Sequence, residues 1–188
     1  MGNITSNLTK QRKDSLGGVD KLYLFPYVSY LRTQITENNQ FLTVFPATTI
    51  YDYHSFTATF NETTSLEAGN TAWTQSLTVD FPKTIVSSEI YKLIYKDYRA
   101  IYLDRLGNYR ILGLHNGLEG QITNETGADK AALNGYRVTF SGKENTQAPF
   151  IDELTAAGFT IYAPENYVFQ VGGCENFIFQ DGNNFIFN

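Results

Sequence analysis

Residues 55–61, SFTATFN, and residues 71–81, TAWTQSLTVDF, decide the fold of this 188-residue chain. In both stretches apolar side chains alternate with Thr, Ser, Asn or Asp, the period of a β-strand with one buried face and one polar face. The inner row of the second stretch runs from Trp73 to Phe81. We therefore predict a strand pair whose threonine-rich face contacts solvent or a wet channel, with residues 62–70 as a long connecting loop.

Further strand patterns lie on both sides of this pair. Runs of aromatic and β-branched residues between turn residues predict them. They occupy residues 21–30 and 41–45 with a turn at Asn38-Asn39, residues 100–103 and 109–115 with a turn at 106–108, residues 118–123, the row Tyr136, Val138 and Phe140, and residues 159–162. The sequence therefore indicates a mainly β chain.

Two short helices are expected among these strands. Residues 87–89, SSE, are typical of a helix start, because a Ser hydroxyl caps a backbone N–H and Glu89 lies near the positive end of the dipole. The apolar residues that follow fall at i, i+3 and i+4 and predict one buried stripe, formed by Ile90, Leu93 and Ile94. Pro149 then predicts a second helix at residues 150–157, with Gly158 as its C-cap.

The two ends of the chain differ from the middle, which gives three segments. Residues 1–18 lack hydrophobic periodicity and predict a flexible N-terminal arm, and residues 19–163 form the β domain. The basic residues of the arm, Lys10, Arg12 and Lys13, are either solvated or dock on an acidic neighbouring surface. In residues 164–188 two copies of NFIF flank Asp181-Gly182, which predicts a β-hairpin extension that packs on its own domain or on a neighbouring subunit.

Composition excludes several classes of protein. Fourteen Lys and Arg against nineteen Asp and Glu give a net charge of −5, and 15% of the residues are aromatic. A disordered acidic chain would be poorer in aromatics, and sequence-independent binding of nucleic acid needs clustered basic residues. A single cysteine excludes an internal disulfide. No run approaches the roughly 18 apolar residues of a membrane helix, so no membrane association is expected.

The sequence contains no motif typical of a catalytic or metal-binding site. His54 and His115 lie on separate strand patterns and do not supply the roughly four spaced ligands of a structural metal site. Cys174 lacks a Cys-x-x-Cys partner, and Asp181-Gly182-Asn183 has the residues of a turn rather than of a calcium loop. We therefore predict no catalytic, metal-binding, cofactor-binding or specific nucleic-acid-binding residue. The chain is expected to be a non-enzyme whose surface is its function.

Two segments carry a resemblance to a known group of proteins. Residues 106–120, LGNYRILGLHNGLEG, and residues 133–151, LNGYRVTFSGKENTQAPFI, resemble virion structural proteins of tailed bacteriophages. In that group a GNYRLLG…NG strand–turn unit is followed by a GY-x-x-x-F-x-G strand. The resemblance covers residues 20–162, and its two sheets with a short flanking helix are similar to the tail-tube family. It implies a two-sheet β-sandwich or barrel of the phage tail-tube type.

The resemblance also implies a function. The tail-tube family forms stacked hexameric rings around a channel through which DNA passes without specific binding. A member would be located in the virion and would contact further copies of itself and other tail proteins, such as the tape measure, sheath or terminator. Edge strands would pair between copies to close the ring, and a polar, electronegative bore would repel phosphate. No individual functional residue is carried over, because the family has no catalytic motif.

Two other functions remain open at this point. One is a head–tail connector, terminator or ring protein, which forms a single ring where a tube protein repeats many times. The other is a secreted carbohydrate-binding or adhesin β-sandwich. An exposed aromatic platform for sugar stacking is its expected mark. The residues that would supply this platform are Tyr51, Tyr53, Tyr162 and Tyr167.

Overall fold

A computed structural model describes most of the β domain and three strand segments after it. The described residues are 17–53, 57–67, 70–83, 87–127, 133–163, 168–171, 175–180 and 184–187. The predictions for the arm at residues 1–16, with Lys10, Arg12 and Lys13, and for His54, Tyr167, Cys174 and the Asp181-Gly182 turn lie outside them. Strands dominate and helices are few, so the mainly β fold class is confirmed.

The described residues form fifteen strands, two short α-helices and one 3-10 turn at Arg32–Gln34. The strands are β1 Val19–Pro26, β2 Thr36–Asn38, β3 Phe41–Val44, β4 Thr48–Asp52, β5 Thr57–Glu67, β6 Asn70–Pro82, β7 Tyr98–Asp104, β8 Tyr109–Leu112, β9 Glu119–Glu125, β10 Gly135–Glu144, β11 Phe150–Ile151, β12 Phe159–Ile161, β13 Val168–Val171, β14 Glu175–Gln180 and β15 Asn184–Phe187. The helices are α1 Ser87–Lys92 and α2 Leu154–Ala157.

Two sheets make up the β domain. An eight-stranded sheet has the order β12-β4-β1-β7-β8-β11-β3-β2, and a four-stranded sheet has the order β5-β6-β10-β9. The larger sheet curls into a half-barrel. Helix α2 contacts both β12 and β3, and Phe45 N donates to Ala157 O at 2.8 Å, so this helix lies inside the curl.

The central strands of the large sheet are buried on both faces. In β1, Leu22 and Leu24 face the four-stranded sheet, whereas Tyr23 and Phe25 face the interior of the half-barrel. The first core also contains Leu77, Val79, Phe81, Ile90, Leu93, Val138 and Phe140. The second contains Leu42, Phe45, Ile50, Ile111, Ile151, Leu154 and Phe159. Two cores explain why β1 is a continuous apolar run rather than an alternating one.

The strand pair from which the sequence analysis starts is confirmed, but its connection is not. Leu77, Val79 and Phe81 are buried on the inner face of β6, as alternation requires. The predicted long loop at residues 62–70 is wrong, because β5 pairs with β6 without interruption from Thr57 to Glu67. The Thr and Ser residues of this stretch fit a pleated strand and extend the hairpin.

The helix predictions are correct in place and wrong in extent. Helix α1 ends at Lys92, so Ile94, placed in the buried stripe, is 40% exposed while Ile90 and Leu93 are buried. The second helix was expected over residues 150–157 but begins only at Leu154. Its first two expected residues form β11, which pairs with both β8 and β3 and fills a gap in the half-barrel. Gly158 has φ +107° and ends the helix as predicted.

Turn residues also shift some strand ends. The first strand stops at Pro26 instead of reaching residue 30, because proline offers no N–H to a continuing ladder. The strand predicted at residues 109–115 stops at Leu112, because the chain turns at Gly113 with φ +65°. The first hairpin turns at Asn39 and Gln40, which both have positive φ, one residue later than predicted.

The hairpin predicted near the C-terminus is confirmed. Strands β14 and β15 pair antiparallel with Phe177 opposite Phe187 and Phe179 opposite Phe185. A third strand, β13, pairs with β14 on its other side, which the sequence analysis did not predict. The surface on which this small sheet packs stays a prediction.

Candidate functional site

The outer face of the four-stranded sheet is a continuous polar surface, here called the polar face. Its polar outward positions are Thr57, Thr59, Asn61 and Thr63 on β5, Thr74, Ser76, Thr78 and Asp80 on β6, Arg137, Thr139, Ser141 and Lys143 on β10, and Glu119, Gln121, Thr123 and Glu125 on β9. The same face also contains the small or apolar residues Ala72, Pro82 and Gly135, all near the ends of the strands. The opposite face of the same sheet packs on the first core, which holds the polar face rigid.

One arginine on the polar face is held between two carboxylates. Arg137 Nε lies 2.8 Å from Asp80 Oδ1, and its Nη1 lies 2.8 Å from Glu125 Oε1. Thr57 Oγ1 donates to the other oxygen of Asp80 at 2.8 Å. The hydrogen bond and charge of Asp80 raise the pKa of Arg137. Over the whole polar face, two basic side chains, Arg137 and Lys143, and three acidic ones, Asp80, Glu119 and Glu125, give a net charge of −1.

The polar face is bounded by two edge strands. Strands β5 and β9 lie at the ends of the order β5-β6-β10-β9, and no other described strand pairs with their outer sides. Every pairing in the sheet is antiparallel, so β9 runs opposite to β5. Such edges present unpaired backbone N–H and C=O groups to a neighbouring strand.

A turn at residues 113–117, GLHNG, connects the large sheet to the four-stranded sheet and is here called the crossover turn. Gly113 and Gly117 have φ of +65° and +79°, and Gly117 N donates to Gly113 O at 3.2 Å. A Cβ on Gly142 would lie 2.4 Å from Gly117 O. Gly113, Gly117 and Gly142 therefore allow this turn to pass β10 closely.

Glu144 fastens the crossover turn. Its Oε1 accepts hydrogen bonds from His115 N at 3.0 Å and Asn116 N at 2.9 Å, and the residue is only 2% exposed. Burial raises the pKa of Glu144, although the two N–H donors partly oppose this shift. Gln75, buried in the inner row of β6, accepts from Gly113 N at 2.9 Å. Its Nε2 donates to Glu62 Oε1 at 3.1 Å, so both sheets share one polar network.

Arg99 supports the same turn from the large sheet. Its Nε donates to Leu114 O at 3.0 Å, and its guanidinium lies 4.3 Å from the centre of the Tyr27 ring. Tyr27 in turn donates its hydroxyl hydrogen to His115 O. Burial lowers the pKa of Arg99. These buried groups bind mainly backbone atoms and so hold the turn between the two sheets.

Sequence reasoning missed Gln75, Arg99 and Glu144 as a cluster. A signal was present for Gln75, the one amide in an otherwise apolar row of β6. No signal could have brought Arg99 and Glu144 together, because they belong to different strands whose approach depends on the crossover turn.

Of the two histidines considered in the sequence analysis, His115 lies among the described residues. His115 Nε2 lies 3.0 Å from Glu37 Oε1, which forms a pair and not a ligand set. Within the described ranges, no three or more His, Cys, Asp or Glu side chains are grouped so as to hold a metal ion. None of the helices in the described part of the chain has the length and apolar character needed to span a bilayer.

The tyrosines proposed as a sugar platform are brought together in part. Tyr51 and Tyr162 lie with ring centres 5.2 Å apart and are 42% and 51% exposed. Tyr53 instead packs its half-buried ring against Phe81 at 6.4 Å. Of the three tyrosines among the described residues, the structure therefore brings two together as an exposed pair.

Comparison with family models, with curated proteins and with solved structures gives no match for this chain. The polar face, its two edge strands and the crossover turn therefore carry the functional argument. The likeness of residues 106–120 and 133–151 to phage virion proteins stays a prediction.

Proposed function

We propose that this protein is a bacteriophage tail tube subunit that assembles into stacked hexameric rings in the virion. The observation that carries the proposal is the polar face bounded by two edge strands of opposite direction. This arrangement supports a closed cylinder lined by the polar face. The half-barrel and α2 would lie on the outside of that cylinder. The role is structural and needs no catalytic residue, metal or cofactor.

The direction of the strands favours ring closure. In a cyclic ring each copy presents β9 to the β5 of the next copy. Because β9 and β5 run in opposite directions, this junction is antiparallel and continues the alternation within each sheet. A head-to-tail contact of this kind closes on itself and leaves no unpaired edge.

The size of the resulting barrel fits the passage of DNA. Six four-stranded sheets would give 24 strands. With a spacing of about 4.8 Å and a tilt of about 40°, the barrel would measure about 48 Å across its backbone. After allowance for side chains, this opening is wide enough for a DNA double helix.

The side chains of the polar face suit the lining of a channel that does not bind the DNA passing through it. Phosphate binding depends on accessible Arg and Lys side chains. Of the two basic side chains of the face, Arg137 is paired with Asp80 and Glu125, and the exposed Lys143 shares the face with three carboxylates. The face would be hydrated and slightly negative, which lets DNA slide past without sequence-specific contact.

Mass photometry and electron microscopy of the purified chain test the proposal. Rings of six copies, about 127 kDa from a 21.2 kDa chain, and stacks of such rings are the expected result. Monomers alone at high concentration, with no tubes in the presence of native tail proteins, would refute it. A single ring that never stacks would instead favour a connector, terminator or ring protein.

Substitutions along one cross-strand row sharpen this test. Thr59, Thr78, Thr139 and Gln121 lie side by side across the sheet, with the first and last on the edge strands. The double variant Thr59→Lys/Gln121→Lys adds positive charge to both edge strands that meet at each junction and is expected to weaken ring closure. Thr59→Glu/Gln121→Lys is expected to restore it. Thr78→Lys, in the middle of the same row, is the matched control and should assemble.

The exposed Tyr51–Tyr162 pair favours a second candidate, a carbohydrate-binding β-sandwich. Two neighbouring tyrosine rings offer an apolar surface with polar tips on which a sugar can stack. Glycan-array binding by the monomer, lost in Tyr162→Ala, would support this function over the tube. Absence of binding together with ring formation would exclude it.

A further inference from the structure

The four-stranded sheet has a notch at one end, where β9 stops short of β10. Strand β9 pairs with β10 only as far as Glu119 opposite Ser141, whereas β10 continues to Glu144. Beyond the end of β9 the crossover turn takes its place, and Asn116 Nδ2 donates to Lys143 O at 2.7 Å. A cavity of about 420 Å³ opens here beside the turn.

At the same end of the sheet the β5–β6 hairpin projects past its neighbours. Pairing of β6 with β10 ends at Trp73 opposite Glu144, and Thr64 lies in the same row on β5. The hairpin continues for three more residue pairs, from Ser65 opposite Ala72 to Glu67 opposite Asn70. These pairs are here called the overhang. Its Leu66 is 80% exposed, the highest value among the exposed large apolar side chains described.

We propose that the overhang of one copy seats in the notch of the next copy around the ring. The inference rests on the proposed function, because it requires β5 of one copy to lie beside β9 of its neighbour. In that arrangement the overhang and the notch meet at the same rim. Strand β5 has 11 residues and β9 has 7, so part of β5 extends beyond the strand with which it pairs.

This contact would give a role to two features of the single chain, the exposed Leu66 and the crossover turn. Leu66, which projects into water in one copy, would be covered by the neighbour, and burial of an apolar side chain favours association. The turn that Glu144 fastens would become a fixed wall for the incoming hairpin. The contact would also set the register of the edge strands, because a slip along β9 would lift the overhang out of the notch.

Crosslinking tests the contact directly. In a Cys174→Ser background, Ser65→Cys and Glu119→Cys place one thiol on the overhang and one at the rim of the notch, both on the side of the polar face. A short bis-maleimide is expected to give a ladder from dimer to hexamer in single rings. Leu31→Cys/Glu119→Cys is the control, because Leu31 is also strongly exposed, at 71%, but lies in the segment between β1 and β2.

A substitution gives a second readout. Leu66→Asp is expected to lower the fraction of chain in rings at least tenfold, whereas Leu31→Asp leaves it unchanged. Circular dichroism should show both variants folded. Rings that form without the Ser65–Glu119 crosslink, or that tolerate Leu66→Asp, would overturn the inference and leave the ring standing. Crosslinks that appear only in stacked tubes would overturn it too, and failure of the wild-type chain to form rings would overturn both proposals.

Discussion

Replacing Glu144 by alanine is expected to loosen the crossover turn and destabilise the whole β domain. The variant removes the acceptor of two partly buried N–H groups, those of His115 and Asn116. Each unsatisfied buried donor costs about 1–3 kcal/mol, and removal of a buried carboxylate offsets part of the loss. We expect a net loss of about 2–4 kcal/mol in the free energy of unfolding. For a chain of this size that lowers Tm by about 5–15 °C.

Glu144→Gln separates the acceptor from the charge. The amide keeps an oxygen in place of Oε1 and should stay within about 1 kcal/mol of wild type, as expected when a hydrogen bond is preserved. Urea and thermal unfolding of both variants measure the difference. If Glu144→Gln is as damaging as Glu144→Ala, or if Glu144→Ala is harmless, the carboxylate does not act as the acceptor that holds the turn.

The same pair of proteins has an expected pH dependence. Burial raises the pKa of Glu144 above its usual 4.5, so the native state binds this proton more tightly than the unfolded chain does. The resulting contribution to stability is complete below 4.5 and is lost as the pH rises through the native value. Wild type should therefore lose stability relative to Glu144→Gln over that interval. A constant difference would contradict the assignment.

Three further outcomes are expected. Gly142→Ala should cost about 1–3 kcal/mol in chemical denaturation, because its Cβ meets Gly117 O at 2.4 Å, whereas Gly17→Ala, with nothing within 4 Å, should be neutral. Phe159→Ala should cost about 3–5 kcal/mol by opening the second core, where Phe159 stacks on Phe45 at 4.9 Å; a near-neutral result would argue against that core. Asp80→Asn/Glu125→Gln should release Arg137 and produce salt-sensitive DNA binding in a filter assay that wild type lacks, and equal binding by both would contradict a non-sticking face.

The parts of the fold that depend on local pattern could be predicted from the sequence. Alternation in residues 71–81 identified the inner row of β6, and Asp181-Gly182 identified the β14–β15 hairpin. The half-barrel could not be predicted in this way. Its central strands are buried on both faces, as Leu22 and Tyr23 show, and such runs do not reveal which sheet lies on which side.

The candidate site, too, could be predicted only in the part that depends on local pattern. The polar residues of the polar face were visible as a threonine-rich row, and the prediction of a polar surface follows from period alone. The pairing of Arg137 with Asp80 and Glu125 depends on strand register, which the sequence does not encode locally. Phe150 shows a further limit. It continues a helix-like segment after Pro149, yet it forms a strand because the half-barrel has a gap between β8 and β3.

The burial of β1 on both faces also affects local opening of the structure and therefore amide hydrogen exchange. This strand has a ladder on each side, from β4 and β7, and side chains covered on both faces. The amide hydrogens of residues 22–25 should exchange with solvent only on global unfolding, whereas the outer amides of β5 and β9 exchange through small local openings. Deuterium uptake should therefore be slow in β1 and faster in the edge strands β5 and β9. These edge strands are the ones expected to adjust when copies meet.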